Sequence, residues 1–290
     1  MNNVTGNLSP LVFKFEEIMK EPSRLTMQQF ERLSKLIYDI SGICLKENKL
    51  TLLSNRLRKR LEVLSFEDFN EYFAYLFSGG GYSSEIDQII NAISTNETYF
   101  YRTDAQFRVM IDVVMPKLME KGTSISILSA GCSTGEEPYT IAMMLNEKGW
   151  LKNGIVSIKG VDINSEVIDL AGRGIYDEKS IRLLPDEYKE KYFIPTDNKK
   201  YKLCDDIKSR VSFERLNLKN GTIDGKYTIV FCRNVMIYFD RDDQVALINR
   251  IYNSMESGGY FFIGHSESLY FLSNVFKYDM IYGTPVYFKE

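Results

Sequence analysis

Two adjacent carboxylates, Glu136 and Glu137, follow a loop of small residues, Gly131-Cys132-Ser133-Thr134-Gly135, inside the string ISILSAGCSTGEEPYTIAMML at 125–145. Apolar runs flank the loop on both sides. Glycines at such a strand-to-helix turn let a ligand approach the backbone closely. No lysine follows Gly135, so the loop is not GxxxxGK[ST], and three residues separate the glycines, so it is not GxGxxG. A pyrophosphate arriving here would meet two negative charges, whereas a cation would be attracted. Carboxylates in a first helical turn also complement the helix dipole, so capping alone accounts for them equally well. A third acid, Asp162, ends the next apolar run, IVSIKGVD. Folds of this kind place an acidic residue there against ribose hydroxyls. A ribose joined to positive charge, with no phosphate, describes S-adenosylmethionine, whose ammonium and sulfonium favour carboxylates.

Other chemistries find little support. The single histidine, His265, is the only one a Ser-His-Asp triad could use, and it cannot form a multi-histidine metal site. Neither GxSxG nor HExxH occurs. Four scattered cysteines, Cys44, Cys132, Cys204 and Cys232, form no CxxC pair, which disfavours zinc and disulfides and fits a reducing cytoplasm. Cys132 and Cys232 read as small apolar fillers. A net charge of −3 gives no reason to expect nucleic acid. No apolar run reaches the ~18 residues of a membrane helix. The first twenty residues lack the charged and apolar regions of a secretory signal, so a cytoplasmic protein without membrane insertion is expected.

These residues need elements to hold them. A length of 290 residues, 44% apolar and 26% charged, suits two soluble domains. Residues 26–77 read as helices, and Leu50, Leu53, Leu57, Leu61 and Leu64 recur on one face. Lys49, Arg56, Arg58, Lys59 and Arg60 lie between them, as a solvated face or as a basic surface for an acidic partner. SGGGYSS at 78–84 reads as a break, giving a helical domain at 1–78, a linker at 79–84 and a second domain at 85–290. A helix is expected over 104–121, interrupted or bent near Pro116. From 125 onward, strands at 125–130, 155–161, 211–214, 227–232 and 259–264 alternate with helices at 137–148, 165–171 and 241–255, which predicts an α/β fold with a parallel sheet covered on both faces. A terminal hairpin closes the sheet. The polar stretch 172–210 interrupts the rhythm and reads as an insertion with its own short hairpin.

Five strings, STNETYFYR, STGEEPYTIAMML, VDINSEVIDLAGRGIY, FCRNVMIYFD and GHSESL, together with RLRKRL in the helical region, resemble the CheR family of chemotaxis receptor glutamate methyltransferases over nearly the whole chain. The resemblance implies a Rossmann-like class I methyltransferase sheet with an N-terminal helical domain and a small β insertion. It implies methyl transfer from S-adenosylmethionine to receptor glutamates, leaving S-adenosylhomocysteine. Matched to the family, Asn96, Thr98 and Arg102 contact the cofactor before the sheet, and Gly131 belongs to its loop. Glu137, or less well Glu136, holds the methionyl end; Asp162 holds the ribose; Asn217 and Leu218 flank the adenine. Arg233 and Asn234 end a strand in the site, and Arg102 and Tyr238 stand beside the reacting methyl.

An ionised glutamate needs no general base to attack a sulfonium methyl, which fits a chain with one histidine. His265 is expected to be a hydrogen-bonded structural residue. Arg56, Lys59 and Arg60 are expected to dock the cytoplasmic helical domain of the receptor onto a monomeric, stand-alone enzyme. The competing readings are a methyltransferase for another substrate and a non-catalytic S-adenosylmethionine sensor or scaffold. Some family members capture the receptor's extreme C-terminus on the insertion hairpin through a glycine-containing turn. IPTDNKKYKL has no glycine there, so dependence on that peptide is not expected.

Overall fold

The computed structural model describes residues 23–151 and 154–290; the N-terminus searched for a signal lies outside them. Four α-helices come first among the described residues: α1 (Met27–Ser41), α2 (Leu50–Leu64), α3 (Phe69–Ser78) and α4 (Tyr82–Ile93). Helix α1 starts in a capping box, with the Thr26 side chain accepting from Gln29 N–H and Gln29 returning the bond. Leu53, Leu57 and Leu61 of the leucine stripe are buried against Phe30, Leu33, Ile37, Tyr72 and Ile89. Each such leucine contributes roughly 1.5–3 kcal/mol through burial.

The expected linker at 79–84 is not a junction between domains. Only Gly79–Gly81 form a turn, and Tyr82 already begins α4. Helix α4 folds back so that Ile89, Ile90 and Ile93 complete the helical core, and the helical unit therefore ends at Ile93. The glycines mark a reversal inside it. The basic face of α2 also needs correction. Arg60 makes a two-point ion pair with the buried Glu85 of α4, Nη2 to Oε1 at 2.7 Å and Nε to Oε2 at 3.1 Å, and Tyr72 Oη donates to Glu85 as well. Arg56 donates to the carbonyls of Ile93 and Ser94. Arg60 thus holds α2 to the first turn of α4 and Arg56 to its end, and of the three expected docking residues only Lys59 is exposed.

Past the helical unit, α5 (Asp104–Val109) and α6 (Met115–Glu120) flank a π-helical turn at Met110–Val114. Met115 N–H reaches back five residues to Met110, and Pro116 has no N–H to restore the regular ladder. The expected interruption is present, as a π-helical turn just ahead of the proline. The main sheet comprises β1 (Ile125–Ala130), β2 (Val156–Asp162), β6 (Val211–Arg215), β7 (Tyr227–Cys232), β8 (Met255–Ile263), β9 (Lys277–Ile281) and β10 (Thr284–Phe288), in the order β6-β2-β1-β7-β8-β10-β9. The first five are mutually parallel, and β9 and β10 form the antiparallel terminal hairpin. Alternate residues serve opposite faces: Ile127, Ile229 and Phe231 join one core, while Leu128, Val230 and Cys232 join the other. Helices α7 (Glu136–Glu147), α8 (Ser165–Arg173) and α12 (Arg241–Ser254) cover them. Strand β8 begins four residues earlier than expected, across a register shift against β7 and a left-handed Gly258.

Between α8 and β6 the insertion carries β3 (Ile175–Asp177), α9 (Glu178–Ile181), α10 (Asp186–Tyr192), β4 (Phe193–Pro195), β5 (Lys200–Leu203) and α11 (Asp205–Lys208). Its sheet has three antiparallel strands, β3-β5-β4, one more than a hairpin. The β4–β5 turn closes with Lys199 in the left-handed region, φ 53°.

The helical unit is fastened across the C-terminal ends of the parallel strands. Gly42, at φ 76°, ends α1 against Phe239, where a Cβ would come within 2.2 Å of the ring. Cys44 N–H donates to Tyr238 O (3.0 Å), Asn217 Nδ2 to Ile40 O (2.6 Å) and Lys219 Nζ to Tyr38 O (2.6 Å). Tyr38 Oη donates to Asp240 and to Asp243 (2.9 Å).

The first turn of α7 separates its two acids. Glu136 is 1% exposed and accepts from Thr134 Oγ1 at 2.6 Å; it faces the interior beneath the loop, which removes it from the cofactor set. Burial pushes its carboxyl up to about 7 from an ordinary 4.5. The fold therefore keeps a proton that the unfolded chain releases between those values, and stability falls as pH rises through that window. The difference is on the order of 3 kcal/mol above it. Glu136→Gln, which keeps the acceptor, should raise the melting temperature by several degrees at pH 8 and change it little at pH 5. Melts at the two pH values check this, and equal effects at both would contradict the buried acid.

Candidate active site

Strand β1 delivers the loop 131–135 to the C-terminal edge of the sheet, where β1 and β7 lie side by side and the connections leave in opposite directions. Such a switch point leaves a crevice. Here it is a cleft of about 310 Å³, within the range of a small-molecule site. Its floor is the sheet edge; its roof is residues 41–53 and Arg56 of the helical unit; its side wall is the segment 93–102.

Gly131 permits the turn at φ 83°, where a Cβ would meet Val235 Cγ2 at 2.3 Å. Ser133, itself left-handed at φ 50°, donates its N–H to Asp162 Oδ2 (2.9 Å) and its hydroxyl to Asn96 O (3.1 Å). Asp162 Oδ1 accepts from Asn164 N–H (3.0 Å). Burial pushes the Asp162 carboxyl up, and the amides of Asn164, Ser133 and Ile163 oppose that rise. Asp162 lines the cleft, and a carboxylate oxygen can accept more than one hydrogen bond.

Glu137, one residue beyond the buried Glu136, lines the cleft. Its Oε1 accepts from Ser129 Oγ (2.6 Å) and its Oε2 pairs with Arg233 Nη1 (3.1 Å). Arg233 follows β7 and is 7% exposed. Burial lowers the pKa of its guanidinium, and Glu137 works against that fall. Its Nη2 donates to the carbonyl of Arg102, so one ion pair ties β1, β7 and the side wall together. The wall is also pinned by the fully buried Phe100, whose ring meets Tyr176 and Phe193 edge-on at 4.8 and 5.2 Å, and by Phe100 N–H donating to Ser180 O. With Phe100 inward, Asn96, Thr98 and Arg102 line the cleft. Arg102 is half-buried, and its Nη1 donates to Glu97 O (2.7 Å).

Opposite Arg102, Asn234 and Tyr238 enter from the segment after β7; Asn234 is left-handed at φ 59° and Tyr238 closes a 3-10 turn. The Tyr238 hydroxyl makes no hydrogen bond with any described residue. Leu218 contributes an apolar wall. Asn217 lies beside it, but its amide serves the domain contact, with Nδ2 on Ile40 O and Oδ1 accepting from Lys219 N–H. His265 is exposed and outside the cleft; among the described residues its ring makes no hydrogen bond, contrary to expectation. The roof residues Ile43, Cys44, Leu45, Lys49 and Leu52 had no motif to announce them. Ser133 did, since it sits inside the glycine loop. Among the described residues no cluster of His, Cys, Asp and Glu could hold a metal, and no helix is long and apolar enough to cross a membrane.

The lining fits S-adenosylmethionine on its own chemistry: two carboxylates on the floor for a ribose and an ammonium, and apolar walls for a base. Comparison with known proteins points the same way. The family model described as the CheR methyltransferase all-alpha domain matches residues 28–94, and that of the CheR methyltransferase SAM-binding domain matches 96–282. The chemotaxis protein methyltransferase of Borreliella burgdorferi is 38% identical over 256 residues, 84% of this chain and 89% of the relative. That of Escherichia coli is 34% identical over 274 residues, 93% of each. The two family models together span nearly all of the described chain and the relatives match along most of their own length, so the chain belongs to the CheR methyltransferase family.

Proposed function

We propose that this chain methylates glutamate side chains of chemoreceptors, with the cofactor and the target carboxylate meeting between Arg102 and Tyr238. The observation that carries the reading is the distribution of charge in one cleft. Acids line its floor, where Asp162 and Glu137 face the ribose and the methionyl ammonium, and a half-buried arginine stands at its side. Asn96, Thr98, Gly131 and Leu218 complete the enclosure, Arg233 holds Glu137 in place, and Asn234 stands beside it. When bound, S-adenosylmethionine supplies an electrophilic methyl on sulfur, which a glutamate oxygen accepts to become a methyl ester.

The chain's own task is alignment. A substrate glutamate is ionised at neutral pH, so no base is required, and His265 outside the cleft is no loss. Arg102 steers the carboxylate by a charge-assisted hydrogen bond, while the Tyr238 hydroxyl, without a partner among the described residues, orients one of the reacting partners. Well-aligned reacting atoms stand ~3 Å apart, and alignment alone lowers barriers by several kcal/mol. Because Arg102 already donates to Glu97 O, its grip on substrate is shared, which limits ground-state stabilisation. Incubating receptor with methyl-labelled cofactor should place base-labile label on it, and a receptor with the accepting glutamates changed to alanine should stay unlabelled. Label that persists on that receptor would overturn the glutamate assignment.

Asp162→Ala should weaken S-adenosylmethionine and S-adenosylhomocysteine alike. Losing hydrogen bonds to a charged acceptor costs about 1.5–3 kcal/mol, roughly ten- to a hundredfold in affinity. Calorimetry on the folded variant measures it, and unchanged affinity would remove Asp162 from the site. Arg102→Ala and Tyr238→Phe, in contrast, should lower turnover more than cofactor affinity; equal losses would make them plain cofactor ligands. The insertion yields a separate expectation. Its edge strands β3 and β4 have three residues each, Pro195 ends one of them, and Lys199 rather than glycine closes the turn. Short edges bearing proline and lysine resist strand addition. Removing the receptor's C-terminal tail should therefore leave methylation unchanged, and micromolar binding of the free tail peptide would reverse this conclusion.

A further inference from the structure

The string Gly264-His265-Ser266-Glu267 follows β8 and lies outside the cleft lining, so the proposed chemistry gives it no part. Its hydrogen bonds point at the catalytic segment instead. One oxygen of Glu267, Oε2, accepts from two main-chain amides, Gly264 N–H at 2.6 Å and Asn234 N–H at 2.9 Å. The first fixes the carboxylate to its own loop, where Glu267 N–H also donates to Gly264 O (3.0 Å). The second crosses to the neighbouring strand end. Gly264 is required for this approach, because a Cβ there would lie 2.5 Å from Glu267 Oε2 and 2.8 Å from Asn234 N. Two residues beyond, the buried Leu269 anchors the loop in the core.

Asn234 needs such a partner. Its backbone is left-handed at φ 59°, a conformation that persists for a non-glycine residue when its surroundings over-determine it. From Asn234 the chain runs directly into the 3-10 turn that ends at Tyr238. Gln244 Nε2 donates to Met236 O (2.8 Å), and Cys44 N–H donates to Tyr238 O. Those two bonds hold the far part of the segment, and Glu267 holds its start. We propose that Glu267 is a positioning residue for methyl transfer: from outside the cleft its carboxylate fixes the main chain between β7 and Tyr238, and so sets where Asn234 and Tyr238 stand. The inference rests on the assignment of Tyr238 to the reaction made above. Small displacements of such groups, ~1 Å, cost about a hundredfold in rate. Cofactor retention depends mainly on Asp162 and Glu137, which β1, β2 and α7 carry independently of this loop.

The experiment compares the full-length wild type with Glu267→Ala, Glu267→Gln and Gly264→Ala. Thermal melts establish that each is folded at the assay temperature, calorimetry with S-adenosylhomocysteine gives cofactor affinity, and labelling of receptor by methyl-labelled cofactor gives kcat and KM. Glu267→Ala should lower kcat tenfold or more and change cofactor affinity by less than about threefold. Glu267→Gln keeps an acceptor oxygen and should recover most of the rate. Gly264→Ala, which crowds the carboxylate without removing it, should reproduce the alanine phenotype. An unchanged kcat in Glu267→Ala, a cofactor affinity that falls in step with kcat, or a glutamine variant no better than alanine would each overturn the clamp. If the wild type itself leaves receptor unlabelled, the clamp and the proposed function both fail; a labelled receptor with unaffected Glu267→Ala sinks the clamp alone.

Discussion

The ion pair between the part-buried Glu137 and the buried Arg233 is the interaction on which the site's geometry hangs. It joins residues 96 positions apart, one from the turn after β1 and one from the end of β7, across the point where the sheet's connections diverge. Arg233 then reaches the carbonyl of Arg102 and so places the side wall as well. A pair this deep in the protein adds little net stability, because desolvating both charges offsets their attraction. Removing one partner is different: the other is left buried and uncompensated, at a cost of about 3–5 kcal/mol. The pair therefore acts as a constraint on position, and three segments far apart in sequence keep one mutual register.

The same division between holding and reacting recurs around the cleft. Asp162 binds the amides of Ser133 and Asn164 while keeping acceptor capacity, so the loop is ordered by the very group proposed to bind ribose. Phe100 sits in the core beside Tyr176 and Phe193, which turns its neighbours on the wall toward the cleft. Cys44 and Asn217 bond across the domain contact, which makes the helical unit a fixed roof. Groups proposed to act on substrate, the Arg102 guanidinium and the Tyr238 hydroxyl, are the ones left with donors to spare.

How much of this could be read from sequence follows from the range of each interaction. Strands β1 and β7 are continuous apolar runs bounded by polar loops, a signal contained in six residues, and both were placed correctly to the residue. The glycine loop, Glu137 and Asp162 were legible because a parallel sheet puts strand ends at one edge, so position in the chain implies position in space. Arg56 and Arg60 were misplaced because their partners lie 25 to 38 residues away on α4; helical spacing shows which face they occupy but not what packs on it. Three glycines at 79–81 look the same in a domain linker and in a reversal within one bundle, and only the burial of Ile89, Ile90 and Ile93 distinguishes them. Glu136 and Glu137 are indistinguishable by type. Their separation depends on the roughly 100° turn between successive helical residues, which sends one carboxylate under the loop and the other into the cleft.

That separation also bears on catalysis. A carboxylate buried without a cation, as Glu136 is, has its ionisation suppressed, whereas the part-buried Glu137 is paired with Arg233. Carboxylates such as Glu137 and Asp162 are what a cationic cofactor needs, but an anionic substrate approaching them would be repelled. Arg102, on the side wall beside Tyr99, joins Lys49 and Arg56 of the roof in supplying positive charge to the cleft. The lining thus offers carboxylates to a cation and basic groups to a carboxylate. Two oppositely charged reactants are drawn to adjacent places without any residue having to donate or remove a proton. In a chain with one histidine, lying outside the cleft, electrostatic placement is the catalytic resource that the fold provides.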